Sequence, residues 1–132
     1  MAALFTNAEL NAMADAEAAR MGYASLHTAN PDTDGSDEAT GGTPAYARKA
    51  LTFNAAGAAG PLGSTPQPAT VGVAWSDEVT FDAPAGTYTH AGTWTAATAG
   101  TFRGGNALAS SQTLSSQGQV KVSVKVGPFA GA

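Results

Sequence analysis

QVKVSVKV, residues 119–126, alternates valine with polar or charged residues over its whole length. Successive side chains of a β-strand point to opposite faces of the sheet. All four valines would therefore line one face, while Gln119, Lys121, Ser123 and Lys125 would line the other. The segment predicts a strand with one buried and one solvated face.

The same kind of signal extends outward over the second half of the chain. Short runs rich in threonine, valine and aromatic residues are separated by glycine, proline or Ala-Gly breaks. Turn signals at intervals of roughly eight to twelve residues are typical of sandwiches and jelly rolls. We therefore predict a mainly β fold, a small antiparallel, jelly-roll-like β-sandwich. The expected strands are 23–28, 46–53, 70–75, 78–81, 87–95, 101–103 and 119–126, with short runs near Leu108 and Leu114 after a break at Gly104-Gly105.

An α-helix is expected before the strands. Thr6-Asn7-Ala8-Glu9 has the spacing of a capping box, and Phe5 and Leu10 are placed for a hydrophobic staple. Alanine-rich helix then continues to about Met21, and Gly22 is a natural left-handed stop. The predicted organisation is a single domain with a helix over 1–22 and a sandwich over 23–132, which contains an irregular connection at 55–68.

The composition indicates a thin core. Hydrophobic residues make up 43% of the chain, but many of them are alanine, and charged residues make up only 12%. Ordinary soluble domains have about 25% charged residues. A sparse core and a charge-poor surface favour burial against neighbouring subunits, so we expect a homo-oligomer, with a trimer among the candidate states.

Charge and leader signals exclude several classes of partner. The net charge is −4, and residues 1–38 hold seven acids against one base. There is no basic cluster, so we expect no nucleic-acid partner. The start of the chain predicts neither a signal peptide nor a membrane span, and we expect no membrane partner. The chain has no cysteine, which excludes disulfides and thiolate metal sites.

The acidic loop after Asn30 is the best metal candidate in the sequence. Asp32, Asp34 and Asp37 are closely spaced, and hard cations such as Ca²⁺ prefer several carboxylate oxygens. The spacing does not fit an EF-hand, because the glycine is misplaced and Thr43 occupies the position of the bidentate glutamate. We favour a solvated turn over a calcium site, and we expect no cofactor.

Catalytic motifs are weak throughout. His27 and His90 each fall in a predicted strand, but the chain has no nucleophile elbow and no HExxH spacing. Hydrogen-bonded structural histidines are the simpler interpretation, and we expect no enzyme.

The aromatic residues allow two interpretations. A flat, exposed set of rings would suit a sugar, whereas rings that alternate along strands in a chain poor in large residues are more simply core. The set is Tyr46, Trp75, Tyr88, Trp94 and Phe102. We favour the core.

Residues proposed for subunit contacts are Phe5, Leu10, Arg48, Lys49, Leu62 and Arg103.

Two longer stretches carry a family resemblance. GYASLHTANPDTDGSDEATGGTPAYARKALTF, from Gly22, and VTFDAPAGTYTHAGTWTAATAGTFRGGNAL, from Val79, resemble small tailed-bacteriophage virion proteins described as tail fibre or minor tail proteins. The match covers approximately residues 4–110, and the proline-rich segment 55–68 departs from the pattern.

The resemblance implies a non-enzymatic structural protein of the virion exterior that packs against other virion proteins. It implies no active site. The alternatives are a capsid decoration protein and, from another class, a carbohydrate-binding module that adsorbs to a host-surface glycan.

Overall fold

The computed structural model describes residues 5–62 and 65–127, without the side chains of Pro61, Leu62 and Thr65. One helix precedes ten strands in this part of the chain. The elements are α1 (Asn7–Arg20), β1 (Tyr23–His27), β2 (Lys49–Ala50), β3 (Gly60–Leu62), β4 (Thr65–Gln67), β5 (Ala74–Trp75), β6 (Val79–Ala83), β7 (Gly86–Trp94), β8 (Phe102–Leu114), β9 (Gly118–Val122) and β10 (Lys125–Val126).

The chain forms two compact units, each assembled from separate segments. Within the described residues, the helical unit comprises 5–20, 52–62, 65–78 and 123–127, and the sheet unit comprises 21–51 and 79–122. A mainly β fold with an N-terminal helix and antiparallel sheets is confirmed. The jelly-roll connectivity and the single-domain organisation stay predictions.

The sheet unit contains a four-stranded antiparallel sheet in the order β2-β1-β7-β8 and a separate ribbon of β6 and β9. In the sheet, Ser25 lies opposite Gly92 and His27 lies opposite His90. In the ribbon, Phe81 lies opposite Val120. The buried apolar residues of this unit are Ala24, Leu26, Ala39, Phe81, Ala83, Tyr88, Trp94, Val120 and Val122.

The helical unit contains α1, the β3–β4 hairpin and the short β5–β10 pair. The predicted helix cap is present, because the amide of Glu9 donates to Thr6 Oγ1 at 3.2 Å. Leu10, Ala14 and Ala18 form the buried face of α1. On its polar side, Asn11 Oδ1 accepts from the amide of Gly72 at 2.8 Å, so the helix also supports a loop.

The helix ends differently from the prediction. Gly22 is not in the left-handed region. Its carbonyl accepts from the amide of Leu51 at 2.9 Å. The chain therefore passes from α1 directly towards β1, and a left-handed cap was the wrong prediction.

The valine-rich segment is two strands rather than one. β9 pairs with β6, and β10 pairs with β5. Between them, the amide of Val124 donates to Ser76 Oγ at 2.7 Å, and its carbonyl accepts from the Ser76 amide at 2.9 Å. Bonding to the Ser76 side chain interrupts the regular ladder, although Val120, Val122 and Val126 are buried as their alternation predicts.

The segment after Thr101 is one long strand, so the predicted break at Gly104-Gly105 was wrong. The glycines instead allow close packing inside β8. A Cβ on Gly105 would lie 2.7 Å from the carbonyl oxygen of Ala91 and 2.8 Å from Pro31 Cγ. Glycine inside a strand often marks such a close approach.

Two other predicted strands are shorter than expected, and one connection is more regular. Only Lys49–Ala50 of 46–53 and only Ala74–Trp75 of 70–75 form strands. The amide of Tyr46 donates to the carbonyl of Gly41 at 2.8 Å, and the amide of Val73 donates to the carbonyl of Thr70 at 3.2 Å. The chain therefore turns at 41–46 and at 70–73, where the two strands were expected to begin. Within 55–68, the β3–β4 hairpin replaces the irregular connection.

Candidate functional site

Two polar clusters lie inside the sheet unit, and they contain the strongest chemistry of the described residues. The first is a buried hydroxyl–imidazole pair on β1. Ser25 and His27 point to the same face because they are two residues apart, and both side chains have 0% exposure. Opposite Ser25 lies Gly92, where a Cβ would come within 2.9 Å of both polar side chains. Because Gly92 has no side chain, there is room at this position for the side chains of Ser25 and His27.

The hydrogen bonds fix the state of His27. Its Nδ1 lies 2.7 Å from the carbonyl oxygen of Ser36, which can only accept, so Nδ1 carries a proton. In the neutral ring, Nε2 then accepts from the Ser25 hydroxyl at 2.7 Å. The indole Nε1 of Trp94 donates to Ser25 Oγ at 3.0 Å. Every polar atom of the pair thus has a partner.

A serine bonded to a histidine is also the arrangement of an activated nucleophile. Here the pair is closed to solvent, and the Phe102 ring lies edge-on to His27 at a centroid distance of 6.1 Å. In this arrangement a substrate cannot reach Ser25 Oγ. The pair instead ties β1 to the loop that contains Ser36.

Burial sets the titration of His27. Desolvation lowers its pKa below the usual 6.5, and the neighbouring charges act in both directions: Glu38 raises the pKa, while His90 and Arg48 lower it. The folded chain therefore holds a neutral imidazole under conditions in which the unfolded chain takes up a proton.

We predict that acidification below about pH 6.5 destabilises the protein through His27. The pKa of His27 is lower in the folded chain than in the unfolded chain. The contribution of His27 to the free energy of unfolding is therefore fully present above about pH 6.5 and is lost as the pH drops towards the folded pKa. One proton gives a slope of at most about 1.4 kcal/mol per pH unit. Urea unfolding between pH 8 and 5 measures the slope, and His27→Gln should remove it. An equal slope in the variant would contradict the assignment to His27.

The second cluster joins Glu38, Tyr46 and Arg48. Arg48 Nε and Nη2 donate to the two carboxylate oxygens of Glu38, each at 2.9 Å. Tyr46 donates to Glu38 Oε2 at 2.7 Å and accepts from the amide of Leu26 at 3.1 Å. Bidentate, charge-assisted bonds of this kind are among the strongest in proteins.

Arg48 also fastens the turn after β7. Its Nη1 donates to the carbonyl oxygens of Ala96 and Ala99 at 3.1 and 2.8 Å. Its guanidinium carbon lies 3.6 Å from the centroid of the Trp94 ring, a cation–π contact. A single side chain therefore links the acidic loop, the turn and the buried indole.

The electrostatics of this cluster agree with its hydrogen bonds. Burial would raise the pKa of Glu38, but the bonds from Arg48 and Tyr46 outweigh it and hold the pKa below its ordinary value. Burial, with the negative partner, raises the pKa of the Tyr46 hydroxyl. Glu38 is thus a carboxylate and Tyr46 a phenol at neutral pH.

The three candidate metal ligands do not converge. Asp34 accepts from both the amide and the hydroxyl of Ser36, while the amide of Asp32 donates to Asn30 Oδ1 at 2.9 Å. Asp32 and Asp37 both have positive φ, 52° and 59°. Among the described residues, no group of three or more acidic, histidine or cysteine side chains is arranged to hold a metal ion. These aspartates support local turns.

The candidate contact residues occupy different environments. Phe5 is 41% exposed and Leu10 only 8%. Lys49 and Arg103 are half-buried, and Arg48 makes the internal bonds described above. Leu62 lies in β3, where its backbone pairs with Thr65, and its side chain is outside the described part. Their roles in subunit contacts stay predictions.

The aromatic residues supply core rather than an exposed platform. Trp75, Tyr88 and Trp94 are buried, and Phe102 is half-buried, with its ring centroid 5.2 Å from that of Trp94. Tyr46 stacks on Phe81 at 5.8 Å. The carbohydrate hypothesis needs two of the four rings Trp75, Tyr88, Trp94 and Phe102 exposed together, and the structure does not present such a pair.

Sequence reasoning missed the central role of Glu38. The residue looked like one more acid in a polar loop, and its partners are eight and ten residues further along the chain. The antiparallel bridge between His27 and Glu38 forms only once β1 and the loop have come together. No short motif marks such a partner.

Comparison with known proteins gives one family. A family model described as "Podophage GP4 fiber I protein gp80" matches residues 1–126. Searches of curated proteins and of solved structures found no match. In the described part of the chain, the helix is too short and too polar to span a membrane.

Proposed function

Because this chain belongs to the Podophage GP4 fiber I protein gp80 family, and is thus a phage tail fibre structural protein, we propose that it acts through subunit–subunit packing, without catalysis, on the exterior of the particle. Virion localisation and association with other virion components follow from the family. The family match, which covers residues 1–126, is the observation that carries the proposal.

The polar clusters support a structural role. The Ser25–His27 pair is closed to solvent, and the Glu38–Tyr46–Arg48 cluster uses its hydrogen bonds for internal contacts. Neither cluster presents a reactive group to a ligand. Both fix loops against the sheet, which suits a protein that offers a rigid surface to its neighbours.

Low charge supports burial of that surface. Charged residues make up 12% of the chain, and interface cores are depleted in charge relative to the free surface. We propose that the protein is a homo-oligomer in the particle.

Mass spectrometry of purified virions tests the proposal. We expect peptides of this chain in the particle, and band densitometry should give a low copy number relative to the major capsid protein. Absence from purified virions would overturn the virion role. A copy number comparable with that of the capsid protein would instead favour capsid decoration.

A further inference from the structure

We propose that the free edge of β8 pairs with β8 of a second copy of this chain and forms one continuous antiparallel sheet across a two-fold axis. The inference rests on the proposed assembly role and names the surface that carries it. Three observations support it: the position and length of β8, its exposure on both faces, and its lack of charge beyond Arg103.

β8 is a long edge strand. It spans 13 residues, whereas strands usually have about five or six. It is the terminal strand of the order β2-β1-β7-β8, so β7 covers only one of its edges. In the described residues no strand is paired with the other edge. An edge of this kind is a template for pairing with another chain.

β8 is also exposed on both faces of the sheet. Neighbouring residues of a strand point to opposite faces, yet the side chains of Asn106 and Ala107 are both exposed, as are those of residues 109–113. Only Leu108 and Leu114 are half-buried between residues 105 and 114. The strand thus extends beyond the core of its own unit.

The strand lacks the usual protection of an edge. The 17 residues between Arg103 and Lys121 contain no charged residue and no proline. Natural edges are commonly blocked by lysine, proline or inward charges. The exceptions are two register shifts in the pairing with β7, from Trp94–Phe102 to Thr93–Gly104 and from His90–Ala107 to Tyr88–Gln112. The pairing is regular at Gly104–Ala107 and at Gln112–Leu114.

Polar backbone groups near the second register shift are bonded by side chains of the strand itself. The amide of Ala107 donates to Asn106 Oδ1 at 2.9 Å, and the carbonyl of Ser110 accepts from Gln112 Nε2 at 3.2 Å. Both side chains are exposed and can turn away. A neighbouring strand would then replace these local bonds with ladder bonds.

The charge distribution favours a second copy as the occupant. The chain carries a net charge of −4, so two copies repel each other on average, and an uncharged strip is where they approach at least cost. Beyond Arg103, β8 has no charged residue, so this part of the strand meets no like charge when it pairs with itself. A two-fold axis presents the same edge twice in antiparallel order.

Cysteine scanning tests the pairing, because the natural chain has no cysteine and each variant reports one position. The variants are Ala107→Cys, Gln112→Cys and Thr113→Cys, at exposed positions in the regular parts of β8, with Ala19→Cys on α1 as the control at an exposed alanine. Under mild oxidation of the full chain, at least one β8 variant should form a disulfide-linked dimer at least about ten times faster than the control. Rates equal to that of Ala19→Cys would overturn the proposal.

Sedimentation of the cysteine-free chain gives an independent readout. The wild type should show a concentration-dependent dimer, and Ala107→Glu/Thr113→Glu should weaken it at least about tenfold, while Ala19→Glu leaves it unchanged. Circular dichroism checks that the variants are folded. A monomeric wild type, or a dimer insensitive to the two glutamates, would overturn the pairing. These results concern β8 alone, since the virion role is decided separately by mass spectrometry of particles.

Discussion

Gly35→Ala should lower the free energy of unfolding by about 2–4 kcal/mol, since it combines backbone strain with overpacking. Gly35 has φ 78°, in the left-handed region, and a Cβ there would lie 2.4 Å from Trp94 Cζ2 and 2.7 Å from Cη2. The indole cannot retreat easily, because its nitrogen is bonded to Ser25 and its ring lies under Arg48. Urea or thermal unfolding measures the loss.

Gly41→Ala is the matched control. Gly41 has nearly the same φ, 81°, but a Cβ there would have no atom within 4 Å. It should cost only the backbone strain, about 1 kcal/mol. Equal losses in the two variants would mean that the contact of Gly35 with the indole contributes nothing, and that the loop does not pack on Trp94 as described.

Arg48→Ala should destabilise the protein by about 2–4 kcal/mol, because removal of one partner leaves the other charge half-buried and unpaired. The side chains of Arg48 and Glu38 are only 10% and 20% exposed. The substitution also leaves the carbonyls of Ala96 and Ala99 without their shared donor and removes the cation–π contact with Trp94. Chemical denaturation gives the difference from wild type.

Arg20→Ala provides the comparison for an exposed ion pair. Arg20 lies 3.8 Å from Glu17 on α1, and its side chain is 64% exposed. Such a pair is worth about 0–1 kcal/mol. Arg48→Lys is the second test, since lysine keeps the charge but cannot make the bidentate bond. A loss at Arg48 no larger than at Arg20 would refute the role of the Glu38–Tyr46–Arg48 cluster.

Features that depend on neighbours in sequence could be predicted well. The cap at Thr6 joins two residues that are three apart in the chain. The burial of Val120 and Val122 follows from the two-residue alternation of a β-strand. The extended character of residues 102–114 was recognised only in pieces, because glycine is a break signal in sequence and a packing device in β8.

The candidate site was predicted in part. The structural role expected for His27 agrees with its buried hydrogen bonds, and the aromatic residues expected in the core are largely there. The Glu38–Tyr46–Arg48 cluster was missed. Arg48 is a predicted contact residue because it lies near the start of a predicted strand, and no local pattern marks its partners at Ala96 and Ala99, which are about fifty residues away in the chain.

By itself, the sequence determined a mainly β chain with a capped N-terminal helix, a charge-poor surface and the resemblance to phage fibre proteins. These properties are local or compositional. Only the tertiary structure decided which strands pair, that residues 119–126 divide between β6 and β5, and that the acidic loop closes over Trp94. Pairing and closure depend on contacts between distant segments, and their energies come from burial and hydrogen bonds that exist only after those segments meet.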